Sequence, residues 1–388
     1  MNKIISLFFI VFFIFSTINA QEDKTPRTIT TSVPFLLIGP DARAGAMGDA
    51  GVATSPDANS MHWNAAKFAF AEKDLGASFS FVPWLRSLVP DINLSYITGY
   101  AKLSDNQAVG FELGYFSLGE ITFIDENKNE LGQYKPNEYL LSGAYSRKLS
   151  DYFSLSITGK YIYSNLTGNQ YVQNVPTKPG TSIAADLAGY YFLPIRIMQK
   201  DLDYSFGFNI SNMGNKISYT NELNSDFIPI NLRLGSAVGT DIDDFNKIMI
   251  TVDVNKLLVP TPPVYDPQTN EIISGKPDDV PVVEGMFQSF NDAPGGFSEE
   301  MREINYSLGT EYWYDNQFAI RGGYFHEHDT KGARKFFTFG AGVKYTMYTL
   351  DFSYLIDAKT TVGVPNPLAN TMRFSMIFDF GAIENNSE

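Results

Sequence analysis

The chain has 388 residues, with 29 Lys and Arg against 43 Asp and Glu, a formal net charge of −14. That acidity excludes an electrostatic partnership with nucleic acid. The absence of cysteine excludes disulfides, thiolate metal sites, cysteine nucleophiles and lipoprotein-type acylation. Aromatic residues make up 14% of the chain, charged residues only 19%, and mean hydropathy is −0.13, so apolar and polar residues interleave finely in a chain too aromatic to be disordered.

In chain order, Lys3, an apolar run from Ile4 to Phe15 and the small polar stretch ending at Ala20 read as a secretory signal over 1–20, with Gln21 as the first mature residue. The run is too short to span a bilayer. Residues 21–75 show no alternation. They hold Arg43-Ala44-Gly45-Ala46-Met47-Gly48-Asp49-Ala50-Gly51-Val52-Ala53 and Asp57-Ala58-Asn59-Ser60-Met61-His62-Trp63-Asn64-Ala65-Ala66, small residues suited to close backbone packing in a confined space.

From residue 76 onward apolar and polar residues alternate with period two. Met372, Phe374, Met376, Phe378 and Phe380 share one face, and Thr371, Arg373, Ser375 and Asp379 the other. Such segments cover 76–83, 92–102, 107–118, 138–149, 152–165, 181–193, 202–212, 228–239, 246–257, 303–314, 317–327, 335–345, 347–357 and 370–380, fourteen in all. Connections after odd-numbered segments are long, up to the 45 residues of 258–302, and those after even-numbered ones are eight residues or fewer. Tyr161, Tyr163, Tyr190, Tyr191, Tyr345 and Tyr348 sit near segment ends, as interfacial girdle residues do.

This is the layout of an all-β protein, a fourteen-stranded antiparallel transmembrane β-barrel with short periplasmic turns and long external loops. The reading places residues 21–75 in the lumen as a plug, the barrel over 76–380, a periplasmic tail over 381–388 and both ends of the mature chain in the periplasm. A soluble β-sandwich, the competing architecture, would charge its second face, whereas here that face is rich in Gly, Ser, Thr and Asn.

The two stretches quoted above, 43–53 and 57–66, resemble the N-terminal signature of the PorV/PorQ family of Bacteroidetes outer-membrane proteins, which is related to the FadL long-chain fatty-acid transporters. Where related sequences commonly read Asn-Pro-Ala, this one has Asn64-Ala65-Ala66. The resemblance implies a fourteen-stranded barrel with an N-terminal hatch, in which Arg43, Gly45, Met47, Gly48, Gly51, Asn59 and Asn64 are structural. It also implies an outer-membrane, non-enzymatic role in the type IX secretion system of a Gram-negative bacterium. Its partners would be cargo proteins with C-terminal signal domains, the large translocon barrel, a sortase-type attachment complex and outer-membrane lipid, with no cofactor. The alternative is a FadL-like transporter of hydrophobic small molecules.

Little in the chain carries catalysis. Its three histidines supply no nucleophile–base set, and no Gly-x-Ser-x-Gly elbow or phosphate-binding loop occurs. His326 and His328 lack a third committed ligand, so no metal site is assigned. Inward carboxylates Asp253, Asp351 and Asp379 have inward bases Arg233, Arg321 and Arg373 for company, as a paired lumen network would. The 258–302 connection holds seven of the chain's 20 prolines and eight carboxylates against Lys276 and Arg302. Its Val283, Met286, Phe287, Phe290 and Phe297 are too many for a solvated tether, and with Trp84, Leu85 and Leu88 they are the candidate partner-binding residues.

Overall fold

In a computed structural model of the chain, described over residues 25–381 apart from 87, 88, 90, 125–129, 169, 170, 173, 174, 198, 199, 221–224 and 359–367, fourteen strands close into one antiparallel barrel. The strands are β1 (Leu75–Pro83), β2 (Ile92–Ser104), β3 (Gln107–Leu118), β4 (Asn137–Ser150), β5 (Phe153–Asn165), β6 (Gly180–Ile197), β7 (Lys200–Gly214), β8 (Asn231–Asp241), β9 (Asn246–Leu257), β10 (Asn305–Tyr314), β11 (Phe318–His326), β12 (Lys335–Tyr345), β13 (Tyr348–Asp357) and β14 (Met372–Phe380). Each pairs with its sequence neighbours, and β1 closes on β14 with Leu75 opposite Phe380 and Phe81 opposite Phe374. The signal peptide and the tail beyond Gly381 lie outside the described residues.

The wall follows from the alternation. Along β5, Ser154, Ser156, Thr158 and Ile162 are buried toward the lumen, while Ile157 and Tyr161 are exposed on the outer face, where hydrocarbon is the solvent. Tyr115, Tyr139 and Tyr163 form a ladder across β3, β4 and β5, with ring centroids 5.1 and 5.7 Å apart. At the short turn after β10, Asp315 and Asn316 take left-handed φ values of 52° and 51°, which their short polar side chains tolerate.

The hairpin of β6 and β7 outruns the sequence expectation most. The alternation stops at Pro194, yet β6 continues to Ile197 and pairs with β7 back to Lys200. Pairing of β6 with β5 ends at Tyr191 opposite Phe153, so Pro194 sits where β6 has one neighbour and its missing N–H breaks no second ladder. The 258–302 connection is ordered too, with a small hairpin (Val264–Tyr265 with Ile272–Ser274) and helices α3 (Val282–Gln288) and α4 (Phe297–Arg302). They follow α1 (Ala42–Gly45) and α2 (Ser60–Trp63) of the N-terminal segment.

The N-terminal segment corrects one expectation. Arg27 N donates to Thr330 O and Ser32 N to Phe227 O, both 2.9 Å, and both acceptors lie in long-side connections. Further on, Ala66 O accepts from Ser154 Oγ (2.7 Å) and Ala71 O from Lys102 Nζ (3.3 Å), beside the short turns. The chain therefore runs through the barrel from loop end to turn end before entering β1, and its first described residues stand at the external end. Counting strands placed the N-terminus in the periplasm because it took no account of a segment that itself traverses the lumen.

Candidate functional site

The sequence motif 43–66 meets the inner wall on all sides, and glycine is what lets the backbones approach. Gly48 has φ +69°, and a Cβ there would lie 2.6 Å from Tyr324 O. A Cβ on wall residue Gly323 would lie 2.2 Å from Gly48 N, and one on Gly309 would lie 2.5 Å from Met47 Cβ. Gly45 is covered by Arg373 and Gly51 by the Trp63 ring. Direct bonds fix the register: Gly48 N donates to Thr338 Oγ1 (2.9 Å), Gly51 N and Val52 N donate to Asp253 Oδ2 (2.7 and 3.0 Å), and Ser205 Oγ donates to Ala53 O (2.6 Å). Asn64 donates to Val52 O and Gly189 O and accepts from Ala66 N, which holds the turn without the proline commonly found there. Asn59 is fully buried, and its side-chain amide has no protein hydrogen-bond partner.

Arg43 is the electrostatic centre. Its Nε and Nη2 clasp Glu311 (2.9 and 2.7 Å), Nη1 reaches Asp57 (2.8 Å), and Ser55 accepts through both its carbonyl and hydroxyl oxygens. Glu311 also accepts from Arg321 Nε (2.7 Å), whose Nη1 donates to Asp351 (2.6 Å). The expected lumen network thus exists around Arg321 and Asp351. Arg373 pairs with Asp49 of the segment (2.8 Å), and Arg233 lies 4.8 Å from the Trp63 ring. Below this network, toward the short turns, is a cavity of about 550 Å³ whose lining includes Arg43, Asp57, Phe70, Tyr190, Lys344 and Asp379.

Above it an apolar cluster occupies the lumen. Val33, Phe35 and Leu36 pack with Leu94, Phe116, Leu140, Ile162, Phe227, Ile228 and Ile230 in one buried cluster. Val33 has φ 49°, a strained value for a β-branched residue that costs about 1–3 kcal/mol. Burying three large apolar side chains at roughly 1.5–3 kcal/mol each outweighs that strain.

Over the mouth, ion pairs fasten the long loop. Glu299 accepts from Arg27 Nη1 (2.9 Å) and Lys331 Nζ (2.7 Å). Glu303 accepts from Lys331 (2.8 Å), Lys256 (2.6 Å) and Thr261 Oγ1 (2.6 Å), while Glu300 accepts from Lys256 (3.0 Å) and from the backbone of Asp292 and Ala293. N-terminal segment, wall, long loop and the 327–334 connection are tied together. Burial pushes Asp292 up to about 6. Burial acts the same way on Glu299, but hydrogen bonds from Lys331 and Gly295 N overcome it and hold that carboxyl below its ordinary range.

The predicted surface residues divide. Val283, Phe287, Phe290 and Phe297 are exposed, whereas Met286 turns inward onto the apolar cluster with Val282. Trp84 packs against the same cluster, Leu85 is half-buried with φ 51°, and Leu88 lies outside the described residues. Glu327 is engaged by Arg334 (2.7 and 2.8 Å), and His326 Nδ1 lies 3.3 Å from Tyr324 Oη. Among the described residues no three His, Asp or Glu side chains gather as metal ligands would. Composition alone did not single out Glu311, Thr338, Val33 and Phe35; the inward parity of Glu311 on its strand was the available signal for the first.

The fold and the segment threaded through its lumen define an outer-membrane β-barrel occupied by its own N-terminal segment. The sequence matches the profile of the family described as type IX secretion system protein PorV over residues 19–264, and the chain belongs to that family. It is accordingly an outer-membrane component of type IX secretion, a family of non-enzymatic kind. No curated protein matches it. Similar solved structures include the P. putida toluene transporter TodX (10% identity, TM-score 0.48, 89% of this chain and 99% of that one) and the Ralstonia pickettii toluene transporter TbuX (11%, 0.45, 88% and 98%). A Pseudomonas aeruginosa FadL homologue is similar as well (11%, 0.42, 92% and 100%).

Proposed function

We propose that this barrel binds the C-terminal signal domain of secreted cargo at the translocon and passes the cargo to the cell-surface attachment complex, with residues 25–74 serving as a plug. The family membership supports the pathway. The observation that favours cargo binding over transport is the apolar cluster that the N-terminal segment forms with the wall. A transporter of hydrophobic molecules needs an apolar route inward from the external mouth, and Val33, Phe35 and Leu36 occupy that volume. With the interior committed to the chain's own segment, the external loops are the working face, and the polar network around Arg43 keeps the segment seated while cargo comes and goes. The large translocon barrel would be met laterally or through the loops.

Mild-detergent purification of the full chain, with identification of what accompanies it, tests this function. Signal-bearing secreted proteins and the translocon barrel are expected. Loss of the chain from the cell is expected to leave those proteins in the periplasm. Recovery of a bound lipid with neither cargo nor translocon would overturn the proposal in favour of transport.

A further inference from the structure

The two helices of the long loop carry apolar residues that their own folding does not use. On α3 Val282, Gly285 and Met286, with Ser289 just past the helix end, are buried or half-buried on the i, i+3, i+4, i+7 face, and Val282 and Met286 pack on the apolar cluster; Gln288 is half-buried beside them. Val283 and Phe287 lie on the opposite face, 65% and 75% exposed, and Phe290 just beyond the helix is 51% exposed. The α4 helix is inverted. Glu299 and Glu300 are buried in the ion-pair clasp, while Phe297 and Met301 point outward at 78% and 40% exposure. Ile273 on the neighbouring hairpin is 63% exposed. Large apolar side chains exposed in this number on one connection are what a contact surface requires.

The charge around them identifies what would cover them. Asp292, Glu299 and Glu300 are consumed within the clasp, which leaves the exposed or half-buried Asp266, Glu271, Asp278, Asp279 and Glu284 against Lys276 and the half-buried Arg302, with Asp279 also paired to Lys216 (3.0 Å). Helices that rest in a membrane interface flank their apolar face with lysine and arginine. Carboxylates in those positions disfavour a lipid surface and favour a basic partner.

We propose that the outward faces of α3 and α4 are a docking surface for a folded protein domain presenting an apolar patch ringed by lysine and arginine. The proposal rests on the cargo-binding function above, and the domain is the cargo's signal domain. Aromatic side chains supply the contact area, and the acidic rim speeds encounter and fixes orientation.

The test uses the full chain in nanodiscs and a purified cargo signal domain, with affinity measured at about 50 and 200 mM salt. Phe287→Ser combined with Phe297→Ser is expected to weaken binding at least tenfold. Glu284→Lys, which touches no apolar contact, is expected to weaken it several-fold at low salt and to flatten the salt dependence. Retained heat-modifiable mobility confirms the barrel in each variant. Wild-type binding with both variants unchanged overturns the docking surface and leaves cargo binding standing. No wild-type binding overturns both. Protection of the α3 amides from hydrogen exchange by nanodisc lipid alone, without cargo, shows a lipid surface as the occupant and also overturns it.

Discussion

Replacing Arg43 by methionine tests whether the polar network holds the N-terminal segment in its seat. Methionine keeps much of the buried stem volume but donates nothing, so Glu311 loses a two-point contact and Asp57 loses its guanidinium. Removing one partner of a buried ion pair costs about 3–5 kcal/mol. Glu311 retains Arg321 at 2.7 Å, which places the expected cost near the lower end, about 3 kcal/mol. At about 1.4 kcal/mol per decade, that raises the population of the unseated segment roughly a hundredfold. Hydrogen exchange on the detergent-solubilised protein reads it directly: amides of 42–64 that open without the barrel are expected to exchange about a hundredfold faster, with wall strands unchanged. Arg43→Lys, which keeps the charge and loses the fork, is expected to fall between. In planar bilayers the methionine variant is expected to conduct ions more often than wild type. Unchanged exchange in 42–64 would refute the reasoning and assign the seating to apolar packing around Val33, Phe35 and Met47.

Four further outcomes are expected. Gly48→Ala, strained at φ +69° and blocked by Tyr324 O, is expected to cost about 1–3 kcal/mol or more and to loosen the same amides. Since the chain has no cysteine, Thr25→Cys is expected to react with a membrane-impermeant maleimide on intact cells, as Thr269→Cys in the long loop does, while Asp105→Cys in a short turn reacts only after permeabilisation; protection of Thr25→Cys would return the N-terminus to the periplasm. Lys331→Met, which frees one contact on each of Glu299 and Glu303, is expected to speed protease cleavage within 258–302 without changing barrel mobility. Asp292, raised to about 6, binds its proton more tightly in the folded loop than in an unfolded one, so its contribution is fully present below about pH 4 and is lost as pH rises through about 6. Asp292→Asn is expected to remove that component from the pH dependence of loop protection measured by hydrogen exchange.

Every barrel strand was legible in the sequence because the bilayer imposes a simple rule: one parity apolar, the other tolerant of water. The pattern in 370–380 needs no partner to be read. What escaped was set by partners far away in sequence. Pro194 reads as a strand end, yet it is harmless where β6 has lost β5 and kept β7, a fact about the neighbour's length. The direction of the N-terminal segment has no periodicity to declare it. It depends on contacts such as Arg27 with Glu299, 272 residues apart.

The long loop shows the same division within a single segment. Val283, Phe287, Phe290 and Phe297 stood out as apolar residues with no reason to be in an acidic loop, and their exposure keeps that question open for a partner to answer. Its carboxylates looked alike in the sequence, but Glu299, Glu300 and Asp292 are spent inward on Arg27, Lys331, Lys256 and backbone amides, and the rest face out. No spacing separates the two sets, because Lys256 lies in the wall and Lys331 in another connection. The distinction matters physically. On the docking surface proposed above, the inward set anchors the loop before a partner would arrive, which lowers the ordering entropy that binding would cost, and the outward set would select the partner by charge.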